Sequence, residues 1–122
     1  MPQQDFDDIS VEFAIAIARR DAGDLPGSRE VLKDLAALHP TEFGVWLILG
    51  SIQMFQEDYE AAEESFTIAV GLGPRSERAS LALFHTLKHL GRVGEAFEEM
   101  RRFLALRPES HEYYLLREEM DG

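Results

Sequence analysis

A tripeptide of leucine, any residue and proline recurs three times along the chain, and its spacing limits the possible folds. The prolines are Pro40, Pro74 and Pro108, which lie 34 residues apart. Proline lacks a backbone N–H and disfavours helix in the residue before it, so each tripeptide indicates the end of a helix. Two turns in every 34 residues leave room for two helices per repeat, because a second set of turn positions falls midway at the same spacing: Gly23, Glu57 and Gly91.

Helical periodicity fills the segments between these turns. In the middle repeat Trp46, Leu49 and Ile52 step along one face, as an amphipathic helix requires. Asp24 and Asp58 are positioned to cap the second helices of their repeats, and no strand-like alternation occurs. Thr41 is positioned to cap a first helix. We therefore predict an all-α chain of seven helices, at about 7–22, 25–38, 42–56, 59–72, 76–90, 93–106 and 109–120.

The middle repeat carries the motif on which a family resemblance depends. Its motif residues are Trp46, Leu49, Gly50, Ala62, Phe66, Ala69 and Pro74. In spacing and residue type they resemble the tetratricopeptide repeat. Gln53 stands where that family usually has tyrosine, and in the third repeat Phe84 replaces the small residue at Gly50. The resemblance implies a right-handed superhelix of antiparallel helix hairpins, a tetratricopeptide-like α-solenoid.

The resemblance also divides the chain into repeats. We expect a single domain over residues 9–122, preceded by an N-terminal tail at 1–8. Small residues at Gly50 and Ala62 would let the two helices of a hairpin approach closely, while Trp46 and Phe66 would fill the space between hairpins. The first repeat is the most divergent of the three. The expected boundaries are about 9–42, 43–76 and 77–110 for the repeats and 109–120 for a capping helix.

The resemblance further implies a binding surface, because the first helix of each tetratricopeptide repeat lines a concave groove that usually holds a peptide. The corresponding residues form an apolar floor with a basic end in an otherwise acidic protein. Such a groove suits an extended or helical segment that has apolar anchors and an acidic residue. The predicted groove residues are Phe13, Ile17, Leu47, Ser51, Met54, Phe55, Arg78, Leu81, His85, Lys88, His89 and Leu115.

One subclass of the family does not fit. Chaperone adaptors of this kind grip a C-terminal carboxylate with lysine, asparagine and arginine side chains. The matching positions here are Phe13, Ile17, Ile48, Arg78 and Ala82, of which only Arg78 is basic. Binding of the carboxylate tails of Hsp70 or Hsp90 is therefore not expected.

The charge and composition narrow the partner classes. The chain has 12 lysines and arginines against 23 aspartates and glutamates, a net charge of -11. Phosphate repels such a polyanion, so we expect neither nucleic-acid nor membrane binding. There is no cysteine, no secretory leader pattern and no apolar run long enough to cross a bilayer. These features favour a cytoplasmic protein.

Few side chains are arranged for chemistry. His85 and His89 lie one helical turn apart, which could hold a divalent metal, but no third ligand is near in sequence. The neighbouring carboxylates of Glu63–Glu64 and Glu98–Glu99 point about 100° apart on a helix and are expected to be solvated rather than paired for acid–base work. We therefore predict no enzyme activity, no metal and no cofactor.

The leading prediction is a protein–protein interaction scaffold that binds a partner peptide or helix, as a small chaperone or escort. A first alternative is a stoichiometric inhibitor or immunity-type protein that uses its acidic surface against a basic target. A second alternative is a self-associating structural module. The expected state in solution is a monomer or a weak homodimer.

Overall fold

The computed structural model describes the backbone of residues 2–121 and the side chains of residues 9–118. Throughout that backbone the regular structure is helical, as predicted. The helices are α1 (Pro2–Asp21), α2 (Leu25–Leu38), α3 (Phe43–Phe55), α4 (Tyr59–Leu72), α5 (Glu77–His89), α6 (Val93–Leu106) and α7 (His111–Asp121). Helices α2, α4 and α6 begin and end at the predicted residues. Helix α1 begins at Pro2, before the predicted start, while Met1 and the side chains of the expected tail at 1–8 lie outside the description.

A left-handed residue joins the two helices of each hairpin. The φ angles are +86° at Gly23, +61° at Glu57 and +77° at Gly91. This conformation costs a residue with a Cβ about 1–2 kcal/mol, so Glu57 is the strained member of the set. The residues that follow two of these turns confirm their predicted roles. Asp24 accepts a hydrogen bond from the backbone N–H of Gly27, and Asp58 accepts one from that of Ala61.

The predicted cap at Thr41 is wrong. Thr41 lies in the turn after Pro40, two residues before α3, which is too early for its hydroxyl to reach the free N–H groups of the first turn. Glu42 occupies the N-cap position and makes no capping hydrogen bond with its side chain to the described residues. By contrast, the hydroxyl of Ser76 caps α5 by accepting a hydrogen bond from the N–H of Ala79 at 3.1 Å.

Consecutive helices from α1 to α6 pack against one another, and α3 also contacts α5. The helix α3 therefore lies between two hydrophobic clusters. Leu49 and Ile52 belong to the cluster formed with α1 and α2, whereas Leu47 belongs to the cluster formed with α4, α5 and α6. The side chain of Trp46 packs against both clusters. None of the 13 residues of α3 is charged, because nearly every face of this helix is covered.

Gly50 of α3 shows why a hairpin of this family needs a small residue. A Cβ at this position would lie 2.6 Å from a ring carbon of Phe66 on α4, well inside van der Waals contact. The predicted close approach of α3 and α4 is thereby confirmed. In the next hairpin the same position holds Phe84, and the residue opposite on α6 is Met100 rather than an aromatic ring.

The last helix is attached through one buried tyrosine. Tyr113 of α7 is fully buried, with its ring edge-on to Phe84 at 5.6 Å. Its hydroxyl lies 2.7 Å from Oγ of Ser80, which donates in turn to the carboxylate of Glu99 at 2.6 Å. Burial raises the pKa of Tyr113 well above its ordinary value, so the hydroxyl keeps its proton and acts as a donor. The capping helix is thus fixed by both packing and a hydrogen-bonded chain.

The expectation that all four neighbouring glutamates are solvated is wrong for Glu99. Its side chain is only 8% exposed and pairs with Arg102 at 2.6 Å. Glu64 and Glu98 are exposed, while Glu63 is half-buried and pairs with Arg92 at 2.9 Å. Buried carboxylates require such partners, since an unpaired charge would lose its hydration without compensation.

Within the described part of the chain, no helix has the length and apolar character needed to span a membrane.

Candidate partner groove

The first helices α1, α3 and α5 carry most of the predicted groove residues, and their apolar members differ in exposure. Phe13, Ile17, Met54 and Leu81 are half-buried, so each offers part of its surface to a partner and packs the rest against the protein. Phe55 is 76% exposed at the end of α3. Leu115 of α7 is 46% exposed. These residues could supply apolar contacts along the three hairpins.

Two predicted residues on α3 offer less than the sequence suggested. Leu47 is only 6% exposed and belongs to the core cluster around α4 and α5, because α3 is covered by helices on both sides. It supports the groove from below and leaves little surface for a partner. Ser51 is half-buried, and its hydroxyl donates to the carbonyl of Leu47 at 3.0 Å. The hydroxyl of Ser51 is therefore already used within the helix.

The basic residues of α5 fall into two places rather than one. His85, Lys88 and His89 border a recess of about 270 Å³ at the C-terminal end of the helix. Arg78 lies seven residues before His85, or roughly 10 Å along the axis at the rise of an α-helix. An acidic partner group can therefore reach either the recess or Arg78 but not both with one side chain.

Aromatic contacts orient the side chains of the recess. The ammonium of Lys88 lies 5.5 Å from the centre of the Phe84 ring, and the imidazole of His85 meets the same ring edge-on at 5.4 Å. His89 stacks flat on Tyr59 of α4, with the ring centres 4.7 Å apart and the planes 3° from parallel. Tyr59 was absent from the prediction. Its position 30 residues earlier in the chain gave no local signal of this contact.

His85 adds little positive charge to the recess at neutral pH. Partial burial lowers the pKa of His85 below its usual value of 6.5, and the positive charges of Lys88 and His89 lower it further. The neutral form of His85 therefore dominates at pH 7. The residues described here contain no group of three or more histidine, aspartate or glutamate side chains arranged to hold a metal. The ammonium of Lys88 suits the recess to one carboxylate of a partner.

The exposed ends of the stack also carry apolar side chains. Val11 and Ile15 on α1 are 56% and 37% exposed. At the other end, Tyr114 of α7 is 57% exposed beside Leu115. Scattered apolar residues of this kind are common on protein surfaces. Those on the first and last helices lie at the two ends of the stack, where a second copy could pack against them.

The arrangement of helix hairpins agrees with comparisons to known proteins. A sequence profile of the tetratricopeptide repeat matches residues 13–77 and 51–111. No curated protein matches the chain.

Two solved structures illustrate the similarity. The type III secretion chaperone SycD of Yersinia enterocolitica, in complex with a peptide of the translocator YopD, has a TM-score of 0.78 at 17% identity, with 94% of this chain and 88% of SycD covered. The protein MamA has a TM-score of 0.79 at 20% identity, with 92% of this chain and 66% of MamA covered. At these identities the similarity shows the fold. The profile matches span most of the sequence, and the chain belongs to the tetratricopeptide repeat family.

Proposed function

We propose that this protein is a chaperone-like scaffold that holds an apolar segment of a partner protein, with an acidic residue, in the groove formed by α1, α3 and α5. The tetratricopeptide fold is typically a non-catalytic protein-interaction scaffold. SycD, which shares the fold, is a chaperone and has been crystallised with a peptide of its translocator. Placement of this chain in the cytoplasm stays a prediction.

The observation that carries the proposal is the exposure of Phe55 at the C-terminal end of α3, together with a recess that contains Lys88 at the C-terminal end of α5. A phenylalanine side chain that is 76% exposed adds little to the packing of the hydrophobic core. It lies next to Met54, whose sulfur accepts a hydrogen bond from Thr86 on α5 at 3.2 Å. Met54 thus joins the end of α3 to α5, and Lys88 lies two residues after Thr86 on that helix. An apolar anchor and a carboxylate of one partner segment could meet Phe55 and Lys88 together.

The expected binding free energy is sufficient for a specific but reversible complex. Full burial of an apolar anchor is worth roughly 1.5–3 kcal/mol before the costs of association. Two or three anchors together with one charged contact correspond to an affinity on the order of micromolar. Loss of the Phe55 anchor alone should weaken the complex by about tenfold or more.

The test compares two exposed apolar residues. Wild type is used to capture a partner from the source organism, and the captured partner is then titrated against Phe55→Asp and Leu38→Asp. Leu38 is a matched control because it is 73% exposed but lies at the end of α2, away from the first helices. We expect Phe55→Asp to weaken binding by about tenfold or more and Leu38→Asp to retain it, with both variants folded by circular dichroism. Full binding by Phe55→Asp would show that the groove is not the partner site.

A second candidate function is self-association through the ends of the stack. It is favoured by the exposed Val11 and Ile15 on α1 and by Tyr114 and Leu115 on α7. Sedimentation equilibrium would reveal a concentration-dependent dimer, and Leu115→Glu should break it. A wild-type chain that stays monomeric at about 100 µM would remove this candidate, because a functional assembly of this type needs a dissociation constant in or below the micromolar range.

A further inference from the structure

The face formed by the second helices carries the same recess three times, in register with the repeats. The first copy, of about 300 Å³, lies between α2 and α4 above α3. It is lined mainly by apolar side chains, with Leu49 and Ile68 among them and with Lys33 at its edge. The second copy, of about 400 Å³, lies between α4 and α6 above α5, and Thr67 and Leu83 occupy the positions of Lys33 and Leu49.

The second recess satisfies its own charges. Glu99 binds Arg102 at 2.6 Å, and Arg102 donates further to the carbonyl of Pro74 at 3.0 Å. Arg92 binds both Glu63 and Glu95. Every arginine that lines this recess therefore has an acidic partner within the protein. A second molecule would have to displace these ion pairs in order to bind there.

The third recess is different. It lies between α6 and α7, has a volume of about 520 Å³, and is floored by Met100, Leu104 and Ala105. Arg101 and Arg117 line its sides, 34 residues after Thr67 and Leu83 respectively. Both arginines are exposed, and neither has an ion pair or hydrogen bond within the described part of the chain.

Among the described side chains Arg101 and Arg117 have no acidic partner, although acids outnumber bases by 23 to 12 in the sequence. Arg102, the immediate neighbour of Arg101, is fully engaged with Glu99. Arg101 instead lines the recess from α6, and Arg117 lines it from α7. Two guanidinium groups beside an apolar floor form a complementary surface for a carboxylate joined to an apolar chain.

A further helix hairpin is a poor occupant for this recess. In the second repeat, α4 packs closely on α3 at Gly50, while the neighbouring Leu49 is buried in the cluster formed with α1 and α2. The positions 68 residues later are Arg117 and Glu118. A helix that approached α7 as closely as α4 approaches α3 would strip water from the carboxylate of Glu118, which is costly without a partner. The recess is therefore better matched to a small ligand, and its volume lies in the range of about 300–1,000 Å³ typical of ligand sites.

We propose that the recess between α6 and α7 binds a small amphiphile that carries a carboxylate on an apolar chain. Arg101 and Arg117 pair with the carboxylate, and Met100, Leu104 and Ala105 contact the chain. This site is distinct from the partner groove, since all of its lining residues belong to α6 and α7. Its proof does not depend on the identity of a protein partner.

The experiment is an NMR titration of the full-length protein with octanoate, followed on the backbone amides of α6 and α7. We expect a dissociation constant of roughly 0.1–1 mM, given the ligand efficiency of a molecule of this size. Arg101→Gln and Arg117→Gln should each weaken binding by about fivefold or more. Arg75→Gln, which removes an exposed arginine in the turn between α4 and α5, is the matched control and should leave the constant unchanged.

Three further arms separate the sources of binding. Methyl octanoate should bind at least fivefold more weakly than octanoate, and acetate should not bind, since both the charge and the chain contribute. Equal binding of octanoate by wild type and the two arginine variants would overturn the proposal, as would equal binding of the methyl ester. If a short acetylated peptide ending in leucine bound while octanoate did not, the recess would be a peptide site and the small-amphiphile assignment would be wrong.

Discussion

The second and third repeats build the same hairpin with the large aromatic ring on opposite helices. In the second repeat, Gly50 of α3 leaves room for the ring of Phe66 on α4. In the third repeat the ring belongs to Phe84 of α5, and α6 supplies the flexible Met100. The hairpin therefore requires a suitable total volume across the two helices rather than a given residue on either. This explains how the family motif tolerates phenylalanine where glycine is usual.

The second and third repeats also differ in how they satisfy the buried polar side chain at the same position of their second helix. In the second, Ser65 donates to the side-chain amide oxygen of Gln53 at 2.7 Å, a contact between neutral groups. In the third, the position of Ser65 holds the charged Glu99, which needs both Ser80 and Arg102 as partners. A neutral pair can be self-sufficient, whereas a buried carboxylate requires a network that reaches the neighbouring helices. The third repeat is consequently tied to α7 through Ser80.

The largest expected effect comes from removal of the ring of the third repeat. Phe84→Ala should lower the free energy of unfolding by about 3–5 kcal/mol, since Phe84 is fully buried and contacts both Phe97 and Tyr113. Urea denaturation monitored by circular dichroism measures the loss. The control is Phe55→Ala at an exposed site, expected within about 0.5 kcal/mol of wild type. A loss below about 1.5 kcal/mol for Phe84→Ala would contradict the packing role given to this ring.

The two buried polar contacts can be compared directly. Glu99→Ala should cost about 2–3 kcal/mol, because Ser80 and Arg102 lose their partner; the one-third exposure of Arg102 softens the loss. Ser65→Ala should cost only about 1–2 kcal/mol, since it leaves one amide oxygen without its hydrogen bond. Parallel urea titrations give the ranking. If Ser65→Ala proved the more costly change, the contrast between the neutral Ser65–Gln53 pair and the charged network around Glu99 would fail.

The volume exchange between helices is tested by a double-mutant cycle. Gly50→Ala should cost about 1–3 kcal/mol through its clash with Phe66. Combining it with Phe66→Leu reproduces the pair that the first repeat uses, Ala16 and Leu32. The double variant should be more stable than the sum of the single effects by about 1 kcal/mol. Strict additivity would mean that the close approach of α3 and α4 does not account for Gly50.

The smallest expected effect is a gain in stability. Glu57→Gly should raise the free energy of unfolding by about 0.5–1 kcal/mol, because it relieves a left-handed residue while adding the greater flexibility of glycine to the unfolded chain. Gly91→Ala at the equivalent turn of the third repeat should move stability in the opposite direction. Thermal unfolding of both variants measures the pair. A destabilised Glu57→Gly variant would show that the glutamate side chain makes a compensating contact.

The sequence predicts the helices more reliably than the surfaces. The spacing of Pro40 and Pro74 locates helix ends because a proline acts on its own neighbours, and Asp58 caps a helix three residues away. Leu47 and Glu99 were assigned to exposed positions because their burial depends on helices that are distant in the chain. The stacking of Tyr59 on His89 had no local signal for the same reason. The exposure and contacts of a residue are thus predicted wrongly from the sequence when another repeat determines them.

The uncharged helix α3 affects how the protein folds during its synthesis on the ribosome. The first hairpin emerges before α3 and can cover the face that carries Leu49 and Ile52. The opposite face, which carries Leu47, remains exposed until α4 and α5 have been synthesised through His89. Nascent chains with such uncovered apolar helices are prone to aggregation. We therefore expect fragments that end between α3 and α5 to be insoluble, and the second and third repeats to fold together rather than one after the other.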